Sequence, residues 1–202
     1  MSSSIRAVTG TRVRLATQAR REQLLRIGAG LFAARPYDEV WIEEVAELAA
    51  VSRGLLYHYF ATKREFFAAV VEAEAERILA HTRTDPEQSI PEQIRVGLET
   101  YFDYLESHEN GVRVLHRASI AADEGIRAIV ERNLTEQQRR ILARLNVKPD
   151  QAELVRLAVR GWLLFVITVC LDWLDNRTVS RDTLRDLCAA ALIAILDGKL
   201  AD

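Results

Sequence analysis

The 202-residue sequence has little of what marks an extracellular, membrane-embedded or catalytic chain. Its two cysteines, Cys170 and Cys188, sit in apolar stretches at helical spacing, where a free thiol acts as a small hydrophobe. That excludes a disulfide framework and predicts a reducing, cytoplasmic compartment. The N-terminus carries arginines but neither an apolar core nor a small-residue cleavage site, so no secretory signal is expected. The longest predominantly apolar run, Trp162 to Leu171, has 10 residues, half of the ~20 a membrane helix needs, and no membrane partner is expected. Phosphate loop, nucleophile-elbow glycines and a clustered acid pair are all missing, so the chain is not expected to be an enzyme. His81, His108 and His116 lie scattered without metal-ligand spacing, and neither metal nor cofactor is expected. Strand alternation and internal repeats are absent as well.

What is present is a chain 49% apolar and 28% charged, enough to bury a core. The net charge of −2 is unevenly placed. Residues 1–64 hold 10 Lys and Arg against 6 acids, a net of +4, while the remainder holds 17 against 23, a net of −6. A basic head on an acidic body points to a polyanion partner for the head, with a solvated basic tail as the alternative. Residues 1–13 lack apolar periodicity and read as a mobile arm; five arginines precede the first acid, Glu22, so this arm suits phosphates or a minor groove.

From about Arg14, Leu24, Ile27, Leu31 and Phe32 recur at helical spacing until Pro36. A short second helix carries Ile42, Val45, Ala46 and Ala49. Ala50-Val51 leaves only a tight turn before Ser52, a good N-cap for a third helix. There Leu56 and Phe60, four apart, face inward, while Arg53 with Tyr57 and Gly54 with His58 line the outer side. Three short helices with a tight turn before the last make a helix-turn-helix module. Thr62-Lys63-Arg64-Glu65 matches a capping box and opens a fourth helix running to about His81.

Residues 82–91 read as a loop, Ser89 with Glu92 as the next start, and Asn110-Gly111 as a stop. Further helices are expected over about 112–121, 124–145, 150–175 and 181–197, about nine in all. The helix at 150–175 is apolar on more than one face: Trp162, Val166, Val169 and Trp173 form one stripe, and Leu163, Ile167, Cys170 and Leu174 the next. Such a helix needs neighbours on more than one side. Pairing of 150–175 and 181–197 with the same helices of a second chain, as a four-helix bundle, predicts a homodimer; the alternative places both in a monomer core.

Over about Arg20 to Phe67 the chain resembles the TetR family of transcriptional regulators. The resemblance rests on Leu31-Phe32-Ala33-Ala34, on Ile42-Glu43-Glu44-Val45-Ala46, on Val51 to Phe60 and on Lys63-Arg64-Glu65. It implies an all-α fold with a helix-turn-helix DNA-binding domain over 1–61 and an effector-binding and dimerisation domain over 62–202. It further implies that Arg53, Gly54 and Leu55 face base edges, with Ser52 at the same helix start. Tyr57 would touch backbone phosphate, with His58 or Tyr59 nearby, and Lys63 would meet a phosphate from the fourth helix. The chemistry agrees: a guanidinium pairs bidentately with guanine, whereas a phenol or ammonium positions without reading sequence. Three departures stand out. Trp41 replaces the usual Ser or Thr cap of the second helix, Ala50 replaces the turn Gly, and Pro36 replaces another Gly.

The function implied is a repressor that binds a palindromic, double-stranded DNA operator as a dimer and is released by a small, largely apolar effector. An activator, a ligand-independent regulator and a non-DNA interaction protein are the alternatives. Tyr101, Tyr104, His116, Trp162, Phe165 and Asp172 are the candidate effector-lining residues. Asp172 falls on a stripe with Gly161, Phe165 and Thr168, where it would meet a ligand's polar group or lie in solvent near the helix end.

Overall fold

A computed structural model describes residues 2–82 and 87–200, with side chains described from residue 17 onward. The expected loop over 82–91 therefore lies partly outside the described residues. Among the described residues nine α-helices follow one another: α1 (Ser2–Ala34), α2 (Ile42–Leu48), α3 (Arg53–Tyr59), α4 (Lys63–His81), α5 (Ile90–Ser107), α6 (Glu109–Ser119), α7 (Glu124–Leu142), α8 (Ala152–Asn176) and α9 (Arg181–Leu196). Among the described residues there is no strand, only an isolated bridge between Val147 and Leu200. The chain forms two compact units, Met1–Ala73 and Glu74–Asp202, so the division falls within α4.

The first unit is built on aromatic packing. Leu24 and Phe32 of α1, Val45 of α2, Leu56 of α3 and Phe66 with Val70 of α4 are all buried. The Phe32 ring lies 4.6 Å from Phe67 and 6.0 Å from Phe66. Gly28 permits this approach of α1 to α4, because a Cβ there would stand 2.5 Å from Phe66 Cζ. The α1 assignment begins at Ser2, not near Arg14, and the side chains of the expected arm lie outside the described residues. Trp41 stands at the N-cap of α2 without any side-chain capping bond. Glu44 is engaged elsewhere, accepting from Arg35 at 2.5 Å. Ala50 adopts φ +52° in the turn before α3, a left-handed conformation that costs a residue with a Cβ about 1–2 kcal/mol.

In the second unit α5 packs on α9, α7 on α8, α6 on α7 and α8 on α9. Two expected signals read differently here. Ser89 does precede α5, but its side chain makes no capping bond, and Glu92 pairs with Arg95 instead. Asn110-Gly111 is not a stop: the chain breaks at His108 (φ −134°, ψ 38°), and both residues lie within α6. Gly111 is there for proximity, since a Cβ at this position would overlap the Glu74 carboxylate. Glu74 is 2% exposed, pairs with Arg77 and accepts the Tyr104 hydroxyl at 3.2 Å. The His108 ring stacks on Tyr104 at 4.6 Å, and His81 lies 5.5 Å from His108. Two of the histidines that the sequence scatters are thus neighbours around one tyrosine.

The segment Pro149–Asn176 containing α8 is long and apolar enough, by length and composition, to cross a membrane. Counting consecutive apolar residues understated it, because single charges such as Arg160 interrupt an otherwise apolar helix. Val155, Val159, Leu163, Val166 and Cys170 face the unit's interior, while Leu154, Leu157 and Leu164 are exposed on the other side. Leu187 and Ile193 of α9 are exposed too.

Candidate functional site

α3 presents a polar and aromatic surface from a short, well-started helix. Ser52 caps it, its hydroxyl accepting from the Leu55 amide at 3.2 Å, which fixes the first turn. Leu56 and Phe60 point inward and are buried, whereas Ser52, Arg53, Gly54, Leu55, Tyr57 and His58 are exposed. Arg53 has no hydrogen-bond or ion-pair partner among the described residues. Around Gly54 the space is open: an added Cβ would find only Ser52 Oγ, at 4.0 Å. Tyr59 is placed differently, half-buried and donating its hydroxyl to the Thr17 carbonyl at 3.5 Å.

Next to this surface lies the start of α4. Thr62 Oγ1 accepts from the Glu65 amide at 3.1 Å, and Glu65 accepts from the Ala61 amide at 3.0 Å. This is the reciprocal arrangement the sequence predicts, shifted one residue on the glutamate side. Lys63 is half-buried, its ammonium over the Tyr37 ring at 4.4 Å and 3.4 Å from the Asp38 carbonyl. Its reach to a phosphate would require leaving these two contacts.

The second unit contains a partly open cavity of about 590 Å³, within the usual range for small-molecule sites. Ile94 and Leu98 of α5, Leu163 and Val166 of α8 and Leu192 of α9 give it apolar walls; Glu136, Arg139 and Arg140 of α7, with Arg144 just beyond, give it a charged side. Gln93 also lines it. The Gln93 amide nitrogen donates to the Gln88 carbonyl at 2.7 Å, which leaves Oε1 buried without a donor among the described residues.

Of the six residues expected to line an effector site, two are at this cavity, Tyr101 and Trp162. Burial pushes the Tyr101 phenol well above its ordinary range, so it stays neutral. The Trp162 indole donates to the Cys188 carbonyl at 2.8 Å. Tyr104 is buried on Glu74 instead. His116 is exposed on α6. Phe165 lies in a shallow hollow on the outer side of α8 with Ala158, Gly161 and Ile195. Asp172 is exposed and accepts from Asn176 at 3.0 Å, the solvent option of the two open to it. The stripe through Gly161, Phe165, Thr168 and Asp172 thus faces away from the cavity. The helix beginning near 124 is among those the family resemblance places around a ligand cavity, but none of the six candidate residues lies on it; the arginine-rich close of α7 was the available signal. Among the described residues no group of three or more His, Cys, Asp or Glu could hold a metal ion.

Comparison with known proteins matches both units. Residues 24–70 fit the family model described as bacterial regulatory proteins, tetR family, and residues 90–195 fit that of the tetracyclin repressor-like C-terminal domain. The HTH-type transcriptional activator FasR of Mycolicibacterium smegmatis is 28% identical over 58% of this chain and 55% of its own length, so the match spans about half of that relative. The HTH-type transcriptional repressor KstR of Rhodococcus jostii is 26% identical over 91% of this chain and 86% of its own. A tetR-family transcriptional regulator from Streptomyces coelicolor superposes with a TM-score of 0.76 at 28% identity, covering 89% of this chain and 81% of that one. All three are transcriptional regulators by name. With its helix-turn-helix head and its helical body each matched, the chain belongs to the TetR family of DNA-binding transcriptional regulators.

Proposed function

We propose that the protein is a repressor that binds a palindromic operator as a homodimer and leaves it when a small molecule occupies the cavity. The N-terminal turn of α3 carries this reading. Glycine within a helix costs up to about 1 kcal/mol relative to alanine, and no contact among the described residues requires Gly54 to lack a side chain. Close approach by an outside surface does require it, and the unpaired Arg53 beside it suits a guanine edge and the phosphates around it. Ser52, Leu55, Tyr57 and His58 complete the surface, with Lys63 and Tyr59 at its edge.

The exposed leucines of α8 and the exposed Leu187 and Ile193 of α9 support self-association, and Gly161, with nothing within 4 Å of an added Cβ, allows a second helix to come close. A two-fold dimer would then set its recognition helices about 34–36 Å apart, or a multiple, to meet successive major grooves. The cavity supports an effector. FadR of Bacillus subtilis, alike in fold at 16% identity and TM-score 0.68, was solved with stearoyl-CoA, so this architecture can take a ligand. A repressor is favoured over an activator because KstR aligns along 91% of the chain against 58% for FasR.

A mobility-shift assay with the promoter beside the protein's own gene tests the reading. The expected result is a salt-sensitive complex that Arg53→Ala weakens; no complex at low salt would refute operator binding. Run-off transcription that rises on binding would make the protein an activator. In sedimentation, Leu164→Glu should yield monomers, and a dimer that survives it would locate the interface elsewhere.

A further inference from the structure

The walls of the cavity are chemically unequal. α5, α8 and α9 present Leu98, Trp162, Leu163, Val166 and Leu192, none of which carries charge. The α7 side presents Arg139, Arg140 and Arg144 against the single carboxylate of Glu136. That carboxylate is already committed: it accepts from Arg139 at 2.7 and 2.8 Å and from Arg140 at 2.8 Å. The hydrogen bonds from Arg139, then those from Arg140, pull it down to about 2, so it stays ionised. One carboxylate cannot neutralise three guanidiniums. Arg144 is exposed and has no ion-pair partner among the described residues. A helix C-terminus favours cations through its dipole, but the dipole does not place all three against one cavity. Gln93 adds an independent sign that the cavity meets a polar molecule: it is 9% exposed, and its Oε1 waits for a donor.

We propose that the cavity takes an amphiphilic anion, its apolar body against α5, α8 and α9 and its carboxylate or phosphate at the α7 guanidiniums. This rests on the effector reading above and narrows it from an apolar molecule to one with a negative end. Arg140 also donates to the Leu79 carbonyl at 2.6 Å and holds α7 to α4, which leaves Arg139 and Arg144 as the residues to alter.

The test uses the full-length protein and four probes of one chain length below their micellar concentrations: dodecanoate, dodecyl phosphate, methyl dodecanoate and dodecylammonium. Binding is read by calorimetry and by the change in tryptophan fluorescence, to which Trp162 in the cavity wall contributes alongside Trp41 and Trp173. At least one of the two anions should bind about tenfold or more tighter than the neutral ester, the scale of one charge-assisted hydrogen bond. Which anion binds distinguishes a carboxylate from a phosphate ligand. The double variant Arg139→Gln, Arg144→Gln should weaken the anion by about tenfold and leave the ester unchanged. Equal binding of ester and anions, preference for the ammonium, or an equal loss for ester and anion in the double variant would overturn the anionic class while leaving the effector cavity standing. No binding by any probe would overturn the cavity reading and the proposal with it.

Discussion

Arg53 of the head and the paired arginines of the body are used in opposite ways. In the body, Arg181 reaches Glu99, Asp103 and Glu106, Arg185 reaches Glu99, Asp182 and Asp186, and Arg113 joins Glu109 to Asp175. These cations tie α9 to α5 and α8 to α6. In the head, Arg53 projects from α3 with no carboxylate among the described residues. A guanidinium held away from carboxylates is available to a counter-ion supplied from outside, and phosphate is the one a helix-turn-helix module meets. The cavity arginines fall between these cases, only partly neutralised within the body. Charge pairing, more than charge count, therefore separates cations that build the fold from cations that serve it.

The glycines sharpen the same contrast and give the largest expected effect. Gly111→Ala should destabilise the body by about 1–3 kcal/mol, because the new methyl overlaps a buried, paired carboxylate. Gly54→Ala should raise stability by up to about 1 kcal/mol in thermal melts while weakening operator binding. A Gly54→Ala protein with full affinity would show that nothing approaches α3 closely. Next in size, Arg53→Ala should lower operator affinity by about tenfold to a hundredfold with an unchanged melt. Arg181→Ala should do the reverse, leaving DNA affinity intact and lowering stability by about 1 kcal/mol at low salt and less at high salt. If both variants altered both quantities, the division of labour between paired and unpaired arginines would fail.

Sequence patterning revealed the head more fully than the body for a physical reason. Capping at Ser52 and Thr62 and the inward pair Leu56 and Phe60 are determined within a few residues, and they stand where the spacing places them. Family membership and the all-α architecture were legible from the same short-range pattern. The cavity is assembled from five helices, α4, α5, α7, α8 and α9, far apart in the chain, and periodicity cannot say which apolar face of α8 turns inward. Trp162 and Phe165 are three apart, yet Trp162 reaches the cavity as well as the edge of an outer hollow, whereas Phe165 lines only the hollow. Asn110-Gly111 misled in the same way: a glycine that ends a helix and one that lets a neighbour approach look alike until Glu74 is in view.

The smallest effect concerns a strain within the head itself. Ala50 holds φ +52° between α2 and α3, where its Cβ costs about 1–2 kcal/mol that glycine would not incur. Glycine also loses more backbone freedom on folding, which offsets roughly half of that relief. Ala50→Gly should therefore stabilise the protein by about 0.5–1 kcal/mol, a rise of a few degrees in melting temperature. The accompanying operator affinity separates two accounts of the turn. If affinity is unchanged, the left-handed alanine is merely tolerated, because the Val51 amide still bonds the Ala46 carbonyl at 3.0 Å and fixes the angle of α3. If affinity falls as stability rises, the strained residue is what holds α3 at the angle its unpaired arginine needs.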